Sequence, residues 1–461
     1  MKMKKIIVLN LMILLVSCST NQRSVDTLIY NATIIDVTTG ELILNQLIGI
    51  IGDTISVVAP MTDSAKYSAK VKFDVEGKFV MPGLWDNHVH FRGGASLIAE
   101  NKKMLPLFLA YGVTSVRDAG GDMSPSVMEW KNDIIANNLV GPDIYTSGPK
   151  FDGSKPAWNG SIKISQQSQI APAMDSLQEM GVNYFKVYDG NLTPEMYYAL
   201  IEEAEKRQIK ITGHMPMNAS LERALELGLD GMEHLYYMLQ VTSSKKDSIQ
   251  ALQGGYGVIS AYIDSYDDST AMSAFAEIGK GEFYATPTLY ISKVLNQLPL
   301  VNHEADSLLP LIGAGIQASY KRRLVSALGR DQEAQSANTK MREHFMSLVK
   351  PMEKAGINIV AGSDSGPSNS FVYPGEALIG ELMMLVEAGL SPQEALKASI
   401  VNGPKFLGLS HYYGSVTVDK LANLIILEEN PLDDIQHIKS LMMVVKGEQV
   451  FDKQALNKLI R

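Results

Sequence analysis

Eight short apolar runs, spaced through the middle of the chain and separated by helical stretches, constrain its fold more than any other feature. They cover residues 79–90, Thr114–Asp118, Asp143–Ser147, Tyr184–Tyr188, Lys210–His214, Gly231–Leu235, Phe283–Leu289 and Ile357–Asp364. Runs of this length bounded by turn residues read as buried strands, and strands alternating with helices build a parallel sheet. Helical patterns fill most of the gaps. Pro194–Arg207 opens on proline, and Ser220–Leu227 stops at Gly228, as helix signals require. Eight strand–helix units predict an α/β fold, a (β/α)8 TIM barrel over residues 79–408, with a doubly wound open sheet as the alternative.

Both ends of the chain carry a different pattern. Thr27–Tyr30, Ala32–Asp36 and Leu47–Ile51 are short alternating segments parted by turn signals such as Thr39-Gly40 and Gly52-Asp53. Ala422–Leu427 and Leu441–Gly447 repeat the pattern near the C-terminus. They predict short antiparallel strands and a small β-sandwich domain built from both termini, residues 24–78 and 409–461. Residues 240–282 and 291–350 exceed what barrel connections need, and such insertions usually form lids or substrate walls.

The first 18 residues read as targeting sequence. Lys2, Lys4 and Lys5 precede the apolar stretch Ile6–Val16, which is too short to span a bilayer. The stretch ends in Leu15-Val16-Ser17-Cys18, which resembles the lipobox of bacterial lipoproteins; a plain secretory signal is the alternative. Cys18 is the only cysteine, so no intramolecular disulfide forms. Ser19 and Thr20 after it fit sorting to the outer membrane. The expectation is a cell-envelope protein, lipid-anchored at Cys18 and facing the periplasm, its membrane contact made through that lipid. Removing the leader deletes three lysines, taking the net charge from −9 to −12. That acidic balance excludes nucleic acid as a partner and leaves a small-molecule substrate.

Chemistry is concentrated at the ends of the predicted strands. His88 and His90 sit two apart, so in a strand both imidazoles face one way. Lys186 lies inside a further run, and His214, His234 and Asp364 lie at or next to the ends of three others. In a closed barrel all of these project toward the C-terminal mouth, where barrel enzymes carry their sites. Imidazole suits zinc and a carboxylate adds a hard oxygen ligand. Lys186, flanked by Phe185 and Val187, would point inward, and an unpaired buried ammonium is costly. Two readings stay open for it: a structural ion pair with Asp189 or Asp118, or a neutral amine that takes up CO2 and becomes a carbamate able to bridge two metals.

The series Met81-Pro82-Gly83-Leu84-Trp85-Asp86-Asn87-His88-Val89-His90 resembles the opening signature of the amidohydrolase superfamily. Val116–Gly121, Glu233-His234, Gly362–Gly366, Gly389–Leu396 and Asn402–Leu409 continue the likeness. Gly414–Leu424 is similar to the family's return strand into the β-sandwich. Within the superfamily the chain resembles the imidazolonepropionase-like group. Phe185-Lys186-Val187 resembles its Xaa-Pro dipeptidase-like branch, which carries a carbamylated lysine and two zinc ions. Imidazolonepropionase itself uses one metal and no bridging lysine, so Lys186 argues against that reaction.

The resemblance implies that His88, His90 and Asp364 hold one metal, that His214 and His234 hold the other, and that Lys186 bridges them as a carbamate. It implies that two zinc ions, or other divalent metals, activate a water, and that Asp364 moves its proton to the leaving amine. The expected reaction is hydrolysis of an amide bond in dipeptides or N-acyl amino acids. A cyclic amide or lactone hydrolase, or a deaminase, would use the same site. A lipid-tethered binding protein without turnover is the reading from another class. Candidate substrate contacts are Arg117, Tyr236 and Tyr237, with an Arg117–Asp118 ion pair and plain packing as their alternatives. Met215–Asn218 and Leu235-Tyr236 stand where related enzymes often carry glycine, which separates this pocket from theirs. His303, His344, His411 and His437 lie off the strand ends and are expected at the surface.

Overall fold

The computed structural model of the protein describes residues 22–460. The leader and Cys18 lie outside the described residues. In chain order the strands near the N-terminus are β1 (Arg23–Ile35), β2 (Leu42–Ile51), β3 (Thr54–Pro60), β4 (Tyr67–Asp74) and β5 (Phe79–Pro82). There follow β6 (Leu84–Val89), β7 (Val113–Asp118), β8 (Asp143–Thr146), the two-residue pieces β9 (Phe151–Asp152) and β10 (Ile162–Lys163), and β11 (Phe185–Val187). Then come β12 (Ile211–Gly213), β13 (Gly231–Glu233), β14 (Tyr284–Thr286), β15 (Asn358–Ile359), β16 (Asn423–Leu427), β17 (Leu441–Lys446) and β18 (Gln449–Asp452).

The two ends of the chain share one sheet, ordered β18-β17-β16-β5-β1-β2-β3, with β4 also on β1. Ile29, Ile34, Ile48, Val80, Leu424 and Val445 bury a common core there. Its pairing is mixed rather than antiparallel throughout, because β1 runs parallel to both β4 and β5. The two segments expected at Thr27–Tyr30 and Ala32–Asp36 are one thirteen-residue strand. Asn31, at φ 57°, bends it between two registers, so its halves take different neighbours.

The run expected as a single strand over 79–90 is two strands. Phe79–Pro82 pairs with β16 in the terminal sheet, whereas Leu84 onward pairs with β7. The chain crosses between sheets at Gly83, where a Cβ would lie 2.2 Å from Thr114 Oγ1. No larger residue fits that crossing.

From β6 to β15 the sheet is parallel and closes. β6, β7 and β8 pair in sequence, and so do β11 to β15. Asn183 N donates to Thr146 O at 2.8 Å, joining β8 to the segment entering β11. On the other side Asn87 N donates to Ala361 O (3.0 Å), Asp364 N to His88 O (2.7 Å) and His90 N to Ser365 O (2.9 Å). The fold is therefore a TIM-like barrel with a sheet made by the termini, not an open sheet. The helix over Pro194–Arg207 has its expected bounds, and Ser220 caps Leu221–Glu226 by accepting from Arg223 N at 3.2 Å.

Three positions past the strand ends hold a backbone that L residues rarely adopt: His234 (φ 64°), Thr288 (φ 51°) and Asp364 (φ 56°). Left-handed backbone costs about 1–2 kcal/mol per residue. Here it turns the chain sharply as it leaves β13, β14 and β15, and sets these side chains across the barrel mouth.

Candidate metal centre

His88 and His90 leave β6 and meet Asp364, which follows β15. Ligand atoms of these three residues lie within 4.8 Å of one another. His90 Nε2 is 3.2 Å and His88 Nε2 3.5 Å from Asp364 Oδ1. Neither ring nitrogen of the fully buried His88 has a hydrogen-bond partner. Orphaned imidazole nitrogens in a buried site call for a ligand. His90 Nδ1 donates to the Gly120 carbonyl at 2.8 Å, which leaves Nε2 with a free lone pair aimed at Asp364. That arrangement is the usual way a metal-binding histidine is oriented.

His234 and His214 stand on the next wall. His234 Nδ1 lies 2.6 Å from Thr288 Oγ1, and its Nε2 lies 3.9 Å from Asp364 Oδ2. The His214 and His234 rings are 4.9 Å apart. His214 Nδ1 faces Asp189 Oδ1 at 3.4 Å. Burial pushes His90 and His234 down to about 3 and His88 well below its ordinary value, so these imidazoles are neutral and able to bind metal. Burial works to raise Asp364, but its contact with His90 and the nearby Arg92 guanidinium outweigh it and keep the carboxylate ionised. Asn369 Nδ2 donates to Asp364 Oδ1 at 2.7 Å and fixes its orientation.

Lys186 is buried on β11, but its partner is neither Asp189 nor Asp118. Its Nζ lies 2.5 Å from Glu233 Oε2. Asp189 is occupied by His214 and by the hydroxyls of Tyr237 (3.2 Å) and Tyr256 (2.6 Å). Asp118 accepts from Thr146 Oγ1 at 2.7 Å. Arg117 likewise forms no pair with Asp118, since successive strand residues face opposite ways. It reaches through the barrel interior to Glu233 Oε1 at 3.2 Å and is 1% exposed, away from the cavity. Thr212 Oγ1 donates to the same oxygen at 3.1 Å. Burial would raise Glu233, yet Lys186 and Arg117 hold it down to about 2. For Lys186 burial outweighs Glu233 and lowers the ammonium.

These groups border a cavity of about 250 Å³ at the barrel mouth, lined by His90, Lys186, His214, His234 and Asp364. Tyr236 also faces it, whereas Tyr237 is buried behind and bonded to Asp189 and Tyr256. Both long insertions supply walls, Tyr256 from the first and Arg323 and Phe345 from the second. His303, His344, His411 and His437 lie outside this lining. Three of the four are half-buried rather than exposed; His303, for example, stacks on Phe371 at 3.8 Å. Sequence reasoning passed over Glu233, Arg92, Lys150 and Trp158. For Glu233 the available signal was an acid inside an apolar strand beside a candidate ligand. The donor set of four imidazoles, one carboxylate and a buried lysine fits divalent zinc-type cations.

Comparison with known proteins agrees with this fold. The model of the Amidohydrolase family matches residues 79–258 and 314–450. Ochratoxinase of Aspergillus niger is 24% identical over 499 residues, covering 95% of this chain and 88% of its own. Among solved structures, bottromycin amidohydrolase superposes with a TM-score of 0.71 at 19% identity, covering 94% of this chain and 88% of that one. A Xaa-Pro dipeptidase with bound methionine in its active site gives 0.66 at 17% identity, covering 92% and 99%. At these identities the structural likeness is one of fold.

Proposed function

The chain belongs to the amidohydrolase family, and on that footing we propose that it hydrolyses the amide bond of dipeptides of the Xaa-Pro kind, or of N-acyl amino acids, with two zinc ions. The observation that carries this reading is the convergence of His88, His90, His214, His234 and Asp364 around Lys186 at one barrel mouth. His88, His90 and Asp364 would hold one cation and His214 and His234 the other. Lys186, as a carbamate, would serve both. When bound, such a pair supplies an acidified water and a Lewis acid for the scissile carbonyl.

The chain's own groups account for the rest. Asp364 Oδ1 is held by Asn369, which leaves Oδ2 to take the proton of the attacking water and pass it to the leaving nitrogen. Glu233 and Arg117 neutralise the barrel interior beneath Lys186. Phe345 and Ile291 form the apolar side of the cavity and exclude bulk water. The dipeptidase and ochratoxinase likenesses support an amide substrate. The leader with Cys18 supports a place in the envelope, tethered by lipid on the periplasmic side.

The test is amine release by the zinc- and bicarbonate-treated protein from a library of dipeptides and N-acyl amino acids. Cleavage governed by the C-terminal residue is expected. Silence across the library with two metals bound would overturn the substrate class and redirect the search to cyclic amides and esters.

A further inference from the structure

Two basic side chains in the same cavity have no carboxylate within salt-bridge distance among the described residues. Arg92 is 5% exposed and Lys150 2% exposed, and both line the cavity beside His90 and Asp364. Arg92 Nε donates to the Pro367 carbonyl at 2.7 Å, but its Nη2 is buried with no hydrogen-bond partner. Lys150 Nζ is 5.2 Å from the Trp158 ring and 5.0 Å from the Tyr188 ring, and Arg92 Cζ is 4.1 Å from the same Trp158 ring. Aromatic faces attract cations only weakly compared with the cost of burying them unpaired. Two adjacent like charges add repulsion to that cost. A bound anion removes both penalties.

We propose that Arg92, Lys150 and Trp158 form a carboxylate subsite that captures the free carboxylate of the substrate's amine half. Arg92 offers a guanidinium edge suited to a two-oxygen acceptor, and Lys150 adds a point charge. The assignment to the amine half follows from Arg92's anchor. Pro367 lies three residues past Asp364, so the guanidinium is fixed on the loop carrying the proposed donor to the leaving nitrogen. Arg92, Lys150, Trp158 and Tyr188 also line an outer hollow of about 670 Å³. The subsite thus stands where the metal-facing cavity meets the outside, within reach of an incoming anion. Arg323, half-buried on the insertion wall, adds positive potential to the approach.

The inference rests on the amide-hydrolase reading for which half of the substrate it holds, but not for the binding itself. The probes are L-leucine, the amine half of such a substrate, and its carboxamide, titrated into the zinc-treated protein by calorimetry and by tryptophan fluorescence. The acid is expected to bind at least 10-fold tighter than the carboxamide. Lys150→Met and Arg92→Lys should each weaken the acid about 10-fold and leave the carboxamide unchanged. Trp158→Phe should remove the fluorescence change, because Trp85 and Trp130 are buried away from the cavity. Equal binding of acid and carboxamide, no binding of the acid, or variants that bind the acid like wild type would each overturn the subsite. Selective acid binding without hydrolysis of any amide would instead keep the subsite and refute the proposed reaction.

Discussion

Lys186 Nζ lies 2.5 Å from Glu233 Oε2, and both side chains are at most 1% exposed at the end of a closed barrel. The two residues belong to strands separated by β12, and Arg117 reaches the other oxygen of the same carboxylate. Among the described residues, Glu233 is thus the only acid in salt-bridge contact with both buried basic groups beneath the candidate metal site. Replacing it with Gln should destabilise the metal-free protein by about 3–5 kcal/mol, the usual cost of leaving a buried charge unpaired. Urea unfolding of wild type and Glu233→Gln measures this. A loss under about 1 kcal/mol would show that the triad does not hold this part of the barrel.

Lys186 itself separates the two readings of its role. If it serves the metals as a carbamate, Lys186→Ala loses metal, and a small carboxylic acid such as acetate partly restores both metal and activity. Metal counting with and without acetate decides it. A variant that keeps two metals and gains nothing from acetate contradicts the carbamate.

Asp364 is assigned the proton transfer. Asp364→Asn keeps the side chain's shape and its contact with Asn369, so much of the metal should remain while turnover falls by about 10²–10⁴-fold. Retained turnover in a metal-loaded variant would remove Asp364 from that role.

Glu381 gives a pH prediction. It is fully buried, and its Oε2 accepts from Tyr290 N at 2.7 Å, beside the Thr288 turn that holds His234. Burial, reinforced by Asp86, raises Glu381 to about 8 against partial opposition from backbone N–H groups. A carboxyl raised in the folded state holds a proton that the unfolded chain has released. Its contribution is therefore complete below the ordinary value of 4.5 and is lost as pH climbs through about 8. Wild type should lose stability relative to Glu381→Gln across that window. Parallel stability curves for the two proteins would contradict the assignment.

The proposed leader carries its own prediction. Cys18→Ser should release the protein from the membrane fraction into the soluble envelope fraction. Unchanged membrane association would show that Cys18 is not the anchor.

The candidate ligands were legible in the sequence because each lies in or at the end of an apolar run, and a polar residue there has few roles in a packed barrel. Their partners were not. Lys186 and Glu233 are 47 residues apart, and Arg117 and Glu233 are 116 apart, so those pairs exist only once the barrel interior forms. Arg117 and Asp118 looked paired by adjacency, although strand alternation sends them to opposite faces. Hydropathy carries the run 79–90 smoothly across Gly83, and only the close approach of Thr114 reveals a change of sheet there. Lys150 and Arg92 carry no motif. Their significance comes from burial with no carboxylate in salt-bridge contact, a property of the folded chain alone.

The most direct test of the central claim is a zinc titration of the metal-free protein in bicarbonate, with bound metal and amine release measured on the same samples. A dinuclear amide hydrolase should bind two zinc ions per chain, with release of amine rising as the second is taken up. Full activity at one zinc per chain, or two bound zinc ions with no amine released from any dipeptide or N-acyl amino acid, would contradict it.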